Sequence, residues 1–281
     1  MKIGAFASSI RKPLPAAVRS FQQMGISGVQ LFLTPEYVAF DRKRLQEIRK
    51  MCADHGLEIT AVCGDGASCR LGVTDEMNDR VNLFRRMTDI AKELGTGIVT
   101  SHIGVVPEDP ADPVFVNMTH SLRASAEYAL SQGGCIAVET GPEPAETLKR
   151  LLDAVDSGGI KVNFDPANLR MVSCVDPVRA VEVLGKYIVH THAKDGINDV
   201  PGCPAARYGI YDPDGSPRPV HEKPPAFREV PLGEGQVPWD GYIAALKKIG
   251  YDGYFVVERE QGTTREADIR HGVEFLRSKL F

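Results

Sequence analysis

The feature that most constrains the fold is a regular alternation of short apolar runs with longer amphipathic ones. The short runs occupy 2–6, 28–33, 57–63, 97–103, 135–139, 160–165, 187–194 and 253–258. Each is rich in β-branched residues and bounded by glycine or turn residues, so each reads as a strand. Segments of helical period lie between and after them, at 14–24, 41–55, 76–94, 114–131, 143–156, 176–184, 239–248 and 264–279. Acidic residues after the GPEP turn favour the start of the fifth helix, and the glycines closing LLDAVDSGG favour its end. Strand-to-strand intervals of about 25 to 40 residues suit a repeating unit of parallel strands with helical crossovers. Eight such units, with no change of composition along 281 residues, predict a single α/β domain over 1–281, closed into a (β/α)8 TIM barrel. The rival is an open doubly wound sheet, but SSIRKP follows the first strand and no GxGxxG is present.

The interval after the seventh strand is much longer. Residues 196–231 hold eight prolines and several glycines, and a loop of that length in a compact domain is usually functional or disordered. It is expected to be a lid-like or oligomer-contact insertion, with a short hairpin at the Pro-Asp-Gly of YGIYDPDGSPRPV. A formal charge of −4 without a basic run argues against a nucleic-acid partner. Six cysteines at 52, 63, 69, 135, 174 and 203 form no CxxC pair and read as small buried residues in a reducing compartment. MKIGAF leads directly into a strand, without a secretory leader, and no apolar stretch approaches a bilayer span. The expectation is a cytoplasmic enzyme with no membrane partner.

Strand parity locates the chemistry. Alternate residues of a barrel strand point inward. In CIAVE, Glu139 shares the inward face with Cys135 and Ala137; in KVNFD, Asp165 shares it with Lys161 and Asn163. In IVHTH, His190 and His192 point inward, and in YFVVE, Glu258 does so with Val256. Taken singly, Glu139 and Glu258 are solvated rim residues, Asp165 before proline is a turn or cap, and His192 is a core histidine. Together they end four successive late strands at matching parity, on the rim where barrels of this kind carry their active sites. Three converging carboxylates need a neutralising cation. With one imidazole they form a hard, mostly oxygen shell that suits one divalent ion, Mn²⁺ or Mg²⁺ first, then Co²⁺ or Zn²⁺. His102, Lys194 and Asp195 stand where they could touch substrate; His190 lies one layer deeper. Glu143 either caps the fifth helix or reaches substrate, Glu260 lies just past the strand, and Glu234 belongs to a turn.

The segments AVETG, VNFDPANL, HTHAKDG and LGEGQVPWDGYIAALKKIGYDGYFVVERE resemble the xylose-isomerase-like sugar phosphate isomerase/epimerase superfamily. The likeness covers nearly the whole chain and is strongest from residue 135 onward. It implies that Glu139, Asp165, His192 and Glu258 are the metal ligands, and that Glu139 and Glu258 act as acid and base on opposite faces of the substrate. Asn168 falls where ketose 3-epimerases have a substrate-binding histidine. Many relatives carry a histidine near the end of strand three; VCGDG stands there, which argues against a three-metal site.

The expected reaction is proton transfer next to the carbonyl of a keto-sugar or keto-glycoside, with the ion as Lewis acid and a glutamate as base. Return of the proton gives epimerisation or isomerisation. Loss of a β-leaving group gives inosose-dehydratase-like or keto-glycoside lyase chemistry. Two further readings are DNA repair like that of endonuclease IV and a non-catalytic sugar-binding subunit. The expected partners are a small carbohydrate and further copies of the chain, as a dimer or tetramer.

Overall fold

A computed structural model describes residues 1–64, 70–224 and 226–281. Cys69, and the Asp65 and Gly66 of VCGDG, lie outside the described residues. The strands are β1 (Lys2–Phe6), β2 (Gly28–Phe32), β3 (Glu58–Cys63), β4 (Ile98–Ser101), β5 (Cys135–Glu139), β6 (Ile160–Phe164), β7 (Ile188–Ala193), β8 (Asp195–Val200), β9 (Ala226–Val230) and β10 (Tyr254–Val257). All but β8 and β9 close into a barrel in the order β1-β10-β7-β6-β5-β4-β3-β2, with every neighbouring pair parallel. The expected (β/α)8 barrel is therefore present, and its strands and covering helices lie within two residues of the bounds read from the sequence.

The outward rows of the strands, such as Ile136 and Val138 or Phe255 and Val257, are buried against the helices in one continuous apolar core. The helix Ala145–Val155 meets it with Leu148, Leu151, Leu152 and Val155, a stripe of helical period. Helix starts follow from sequence: Pro113 and Pro177 hold the first helical position, and Asp112 and Asp176 accept hydrogen bonds from Val114 and Val178 N–H. The end of the fifth helix differs from expectation. Asp156, not a glycine, takes the left-handed cap with φ 48°. Gly159 is required for another reason, since a Cβ there would lie 2.0 Å from the Ala126 carbonyl oxygen.

The barrel interior is polar. Gln30, Thr60, Thr100, Asn163, His190 and His192 are all buried, beside a small apolar cluster of Phe6, Cys63, Tyr254 and Val256. An unpaired buried polar group costs about 1–3 kcal/mol, so this layer persists because its members bond one another. Gln30 Nε2 donates to Thr100 Oγ1 at 2.8 Å, and His190 lies 3.2 Å from Thr60 Oγ1 and 2.8 Å from Asn163 Oδ1. The ladder slips register at two places, Val29/Gln30 and Val162/Asn163. Such irregularities re-aim a side chain, and Gln30 and Asn163 both turn onto His192.

Residues 196–231 carry structure of their own. β8 and β9 pair antiparallel, a short helix spans Pro204–Tyr208, and the expected turn closes with a Tyr211–Pro217 bridge. Arg218 forks onto Asp112 at 2.6 and 2.8 Å and bonds Asp212 at 2.7 Å, and Arg70 covers the Tyr211 ring at 4.8 Å. These contacts pin the segment to the loops that follow β3 and β4. Among the described residues no helix is long and apolar enough to cross a membrane.

Candidate metal centre and its pocket

Glu139 ends β5, His192 lies in β7, and Asp165 and Glu258 directly follow β6 and β10. All four are buried, and each offers a ligand atom within 4.8 Å of the others. His192 Nδ1 lies 3.1 Å from Glu258, 3.4 Å from Glu139 and 3.7 Å from Asp165. On the other side of the ring, Nε2 donates to Gln30 Oε1 at 2.8 Å. Gln30 therefore leaves Nδ1, which faces the carboxylates, to take a proton or a cation.

Asp165 serves twice. Its Oδ1 accepts from Ala167 and Asn168 N–H at 2.8 and 2.9 Å and caps the short helix Pro166–Asn168. Its Oδ2 is buried and makes no hydrogen bond among the described residues. The cap and the ligand readings both hold, one for each oxygen. Glu139 is held at both oxygens, by Asn168 Nδ2 at 3.0 Å and Asn163 Nδ2 at 3.2 Å. His102 Nε2 lies 3.5 Å from the same carboxylate.

Electrostatics call for a cation here. Burial works against a charged His192, yet Glu258 and Glu139, with Asp165, hold its pKa well above the usual range. Burial likewise opposes a charged Lys194, but Glu258, Glu260 and Asp165 keep it protonated. Lys194 sits 3.1 Å from Glu258, 3.9 Å from Asp165 and in direct contact with Glu260. Burial alone would raise the Glu258 pKa; His192 and Lys194 hold it well below the carboxylate range. Lys194 is shared between Glu258 and Glu260, so it leaves the three clustered carboxylates with a net negative remainder. That remainder, and the orphaned Asp165 oxygen, fit one divalent ion. His190 stays neutral, its pKa pushed well below the usual value by burial and then by His192.

A cavity of about 290 Å³ opens over the centre, with Glu139, Glu258, His102, Phe6, Arg11 and Arg265 in its wall. Phe6 stacks on the His192 ring at 5.8 Å. The other expected substrate contacts are tied to neighbouring groups. Asn168 is engaged with Glu139, and Lys194 with Glu258 and Glu260. Asp195 is fully buried and accepts four hydrogen bonds: from Gly196 and Val237 N–H on Oδ1, and from Gly233 N–H and Trp239 Nε1 on Oδ2. It ties the LGEGQVPW turn to the end of β7, and a Cβ on Gly235 would lie 2.0 Å from it. Glu234 is exposed in that turn.

Glu143 caps no helix: Pro144 is the cap, without a side-chain bond. Its carboxyl is buried beside a separate cavity of about 370 Å³. Val106 N–H donates to Oε2 at 3.5 Å, and Oε1 has no hydrogen-bond partner among the described residues. Burial pushes its pKa up to about 8. Sequence reasoning missed Gln30, Phe6 and Arg11, and also Tyr208, whose half-buried phenol senses Lys194 and Glu139 from the insertion.

A family model described as xylose isomerase-like TIM barrel matches residues 18–279. The chain belongs to that family. An uncharacterised protein of Methanocaldococcus jannaschii is 26% identical over 202 residues, 66% of this chain; the match spans only 59% of that protein's length. Among solved structures, a xylose isomerase domain protein from Planctomyces limnophilus has a TM-score of 0.78 at 24% identity, over 99% of this chain and 95% of its own. A D-psicose 3-epimerase from Clostridium cellulolyticum H10, crystallised with D-tagatose, has a TM-score of 0.75 at 15% identity, over 100% and 99%. A xylose isomerase-like TIM barrel protein from Mycobacterium smegmatis, in complex with magnesium, has a TM-score of 0.74 at 18% identity, over 99% and 96%.

Proposed function

We propose that the chain is a divalent-cation-dependent isomerase or epimerase that moves a proton next to the carbonyl of a keto-sugar or keto-glycoside. One observation carries the reading: Glu139 and Glu258 belong both to the cation cage and to the wall of the pocket above it. The magnesium in the Mycobacterium smegmatis fold neighbour supports a hard ion. When bound, Mn²⁺ or Mg²⁺ supplies Lewis-acid polarisation of the carbonyl.

The rest is done by side chains. Two asparagine amides fix Glu139, and Lys194 fixes Glu258, so each carboxylate meets the substrate with little freedom to lose. Glu258, a carboxylate in the pocket wall, takes the proton. For an epimer, Glu139 delivers a proton of its own to the opposite face and both carboxyls then re-equilibrate with solvent; for an isomer, Glu258 gives its proton back to the neighbouring carbon. A cavity of about 290 Å³ is roughly ten water volumes, at about 30 Å³ each, and takes one small sugar.

The test is NMR-detected exchange of solvent deuterium into a panel of keto-sugars, with Mn²⁺ and with chelator. Glu139→Gln and Glu258→Gln are each expected to lose exchange while circular dichroism is unchanged. Exchange that survives both substitutions rules out the two-carboxylate assignment.

A further inference from the structure

Two arginines of the pocket wall have no carboxylate within ion-pairing distance among the described residues. Arg259 is matched, with Nη1 on Glu229 and Nε on Asp268, each at 2.8 Å. Glu260 is matched by Lys194, and Glu266 by Lys12 at 2.7 Å. Arg265 and Arg11 are not. Arg265 is 9% exposed, and its guanidinium meets only carbonyl oxygens, Arg259 O at 3.0 Å and Gly262 O at 3.4 Å. Arg11 is exposed and makes no side-chain hydrogen bond or ion pair among the described residues.

Both arginines line the cavity that holds Glu139 and Glu258. Both also line a larger one of about 690 Å³ that runs on past Gly262 and the first turn of the helix Arg265–Leu280, where Arg270 adds a third guanidinium. Two loops from opposite ends of the chain thus bring unneutralised cations to one mouth. A buried cation without an anion is costly. Burial and then the charge of Arg11 hold the Arg265 pKa below the usual arginine range. Arg11 also stands in the left-handed backbone region at φ 54°, one of three non-glycine residues to do so among those described. There it caps the short turn Ala7–Ile10, its N–H donating to the Ser8 carbonyl, and the cap fixes where the guanidinium leaves the chain.

We infer that Arg11 and Arg265 form an anion subsite, which binds a carboxylate or phosphate group of the ligand whose other end reaches Glu139 and Glu258. The guanidinium fork matches both anions, as an ammonium does not. The inference deepens the proton-transfer reading and depends on it only for which end of the ligand reacts. The substrate is then an acidic or phosphorylated keto-sugar rather than a neutral one.

Anion binding is tested apart from turnover. The manganese-loaded protein is titrated calorimetrically with sulfate, for a phosphate group, and with acetate, for a carboxylate, at constant ionic strength in chloride. Saturable binding of at least one is expected, and the tighter one identifies the group. Arg11→Gln should weaken it at least tenfold and Arg11→Lys less; Arg265→Gln is included where it folds. No saturable binding of either anion, or equal affinity in wild type and Arg11→Gln, overturns the inference. Loss of deuterium exchange from every sugar would overturn the proton-transfer reading and leave these affinities unaffected.

Discussion

Replacing Glu143 with glutamine removes a buried ionisation and keeps the shape of the side chain. In the folded chain this carboxyl has a pKa of about 8, against 4.5 ordinarily. Between these values the folded state binds more proton than the unfolded state, so stability falls as pH rises. The contribution is complete below the lower value and gone above the upper one. At about 1.4 kcal/mol per pH unit it totals about 5 kcal/mol. The glutamine variant lacks this slope. Its stability relative to wild type is expected to improve by about 3–4 kcal/mol between about pH 5 and pH 8. For 281 residues, at about 2.1 cal/mol/K each, that widens the gap in melting temperature by about 6 °C. Scanning calorimetry of both proteins in matched buffers measures it, because other titrating groups cancel in the difference. Parallel melting curves across that range would refute the argument, since they would mean that Glu143 is solvated or has found a partner.

Gln30→Leu removes the acceptor that fixes His192, and Mn²⁺ affinity should drop by about 10- to 100-fold with the fold intact; an unchanged calorimetric Kd would count against the orienting role. Adding Mn²⁺ to chelator-treated protein at about one hundred times its Kd should stabilise it by about 2.7 kcal/mol. That affinity should weaken as pH falls, because the carboxylates that raise the His192 pKa also favour a proton over the ion; a flat affinity from about pH 8 to pH 5 would exclude the imidazole as a ligand. Asp195→Asn leaves two of its four N–H donors without an acceptor and should cost about 2–6 kcal/mol in urea unfolding, and a loss under 1 kcal/mol would contradict the network.

The barrel was legible because its strands are buried on both sides and bounded by turn residues, so apolar runs such as CIAVE and YFVV mark them within two residues. The four clustered side chains were legible because parity holds along the last residues of the late strands. Gln30 escaped notice because it lies on β2, 162 residues from His192, while Asn163, inward by parity, showed only as a neighbour of Asp165. DGINDV and AFREV carry no clean alternation, and their pairing rests on contacts some 30 residues apart, so the β8–β9 ribbon left no local signal. Asp195, next to Lys194, was expected at substrate; three of its four donors come from 233–239, beyond the reach of any short motif. Arg11 and Arg265 meet across almost the whole chain, a juxtaposition that only closure of the barrel creates.

Lys194 gives the cage a built-in countercharge. Shared with Glu260, it cancels only part of the carboxylate charge from within, and so would lower the charge that a bound ion has to supply. Methionine at this position would keep the volume and remove that countercharge, leaving the carboxylates to a more highly charged ion.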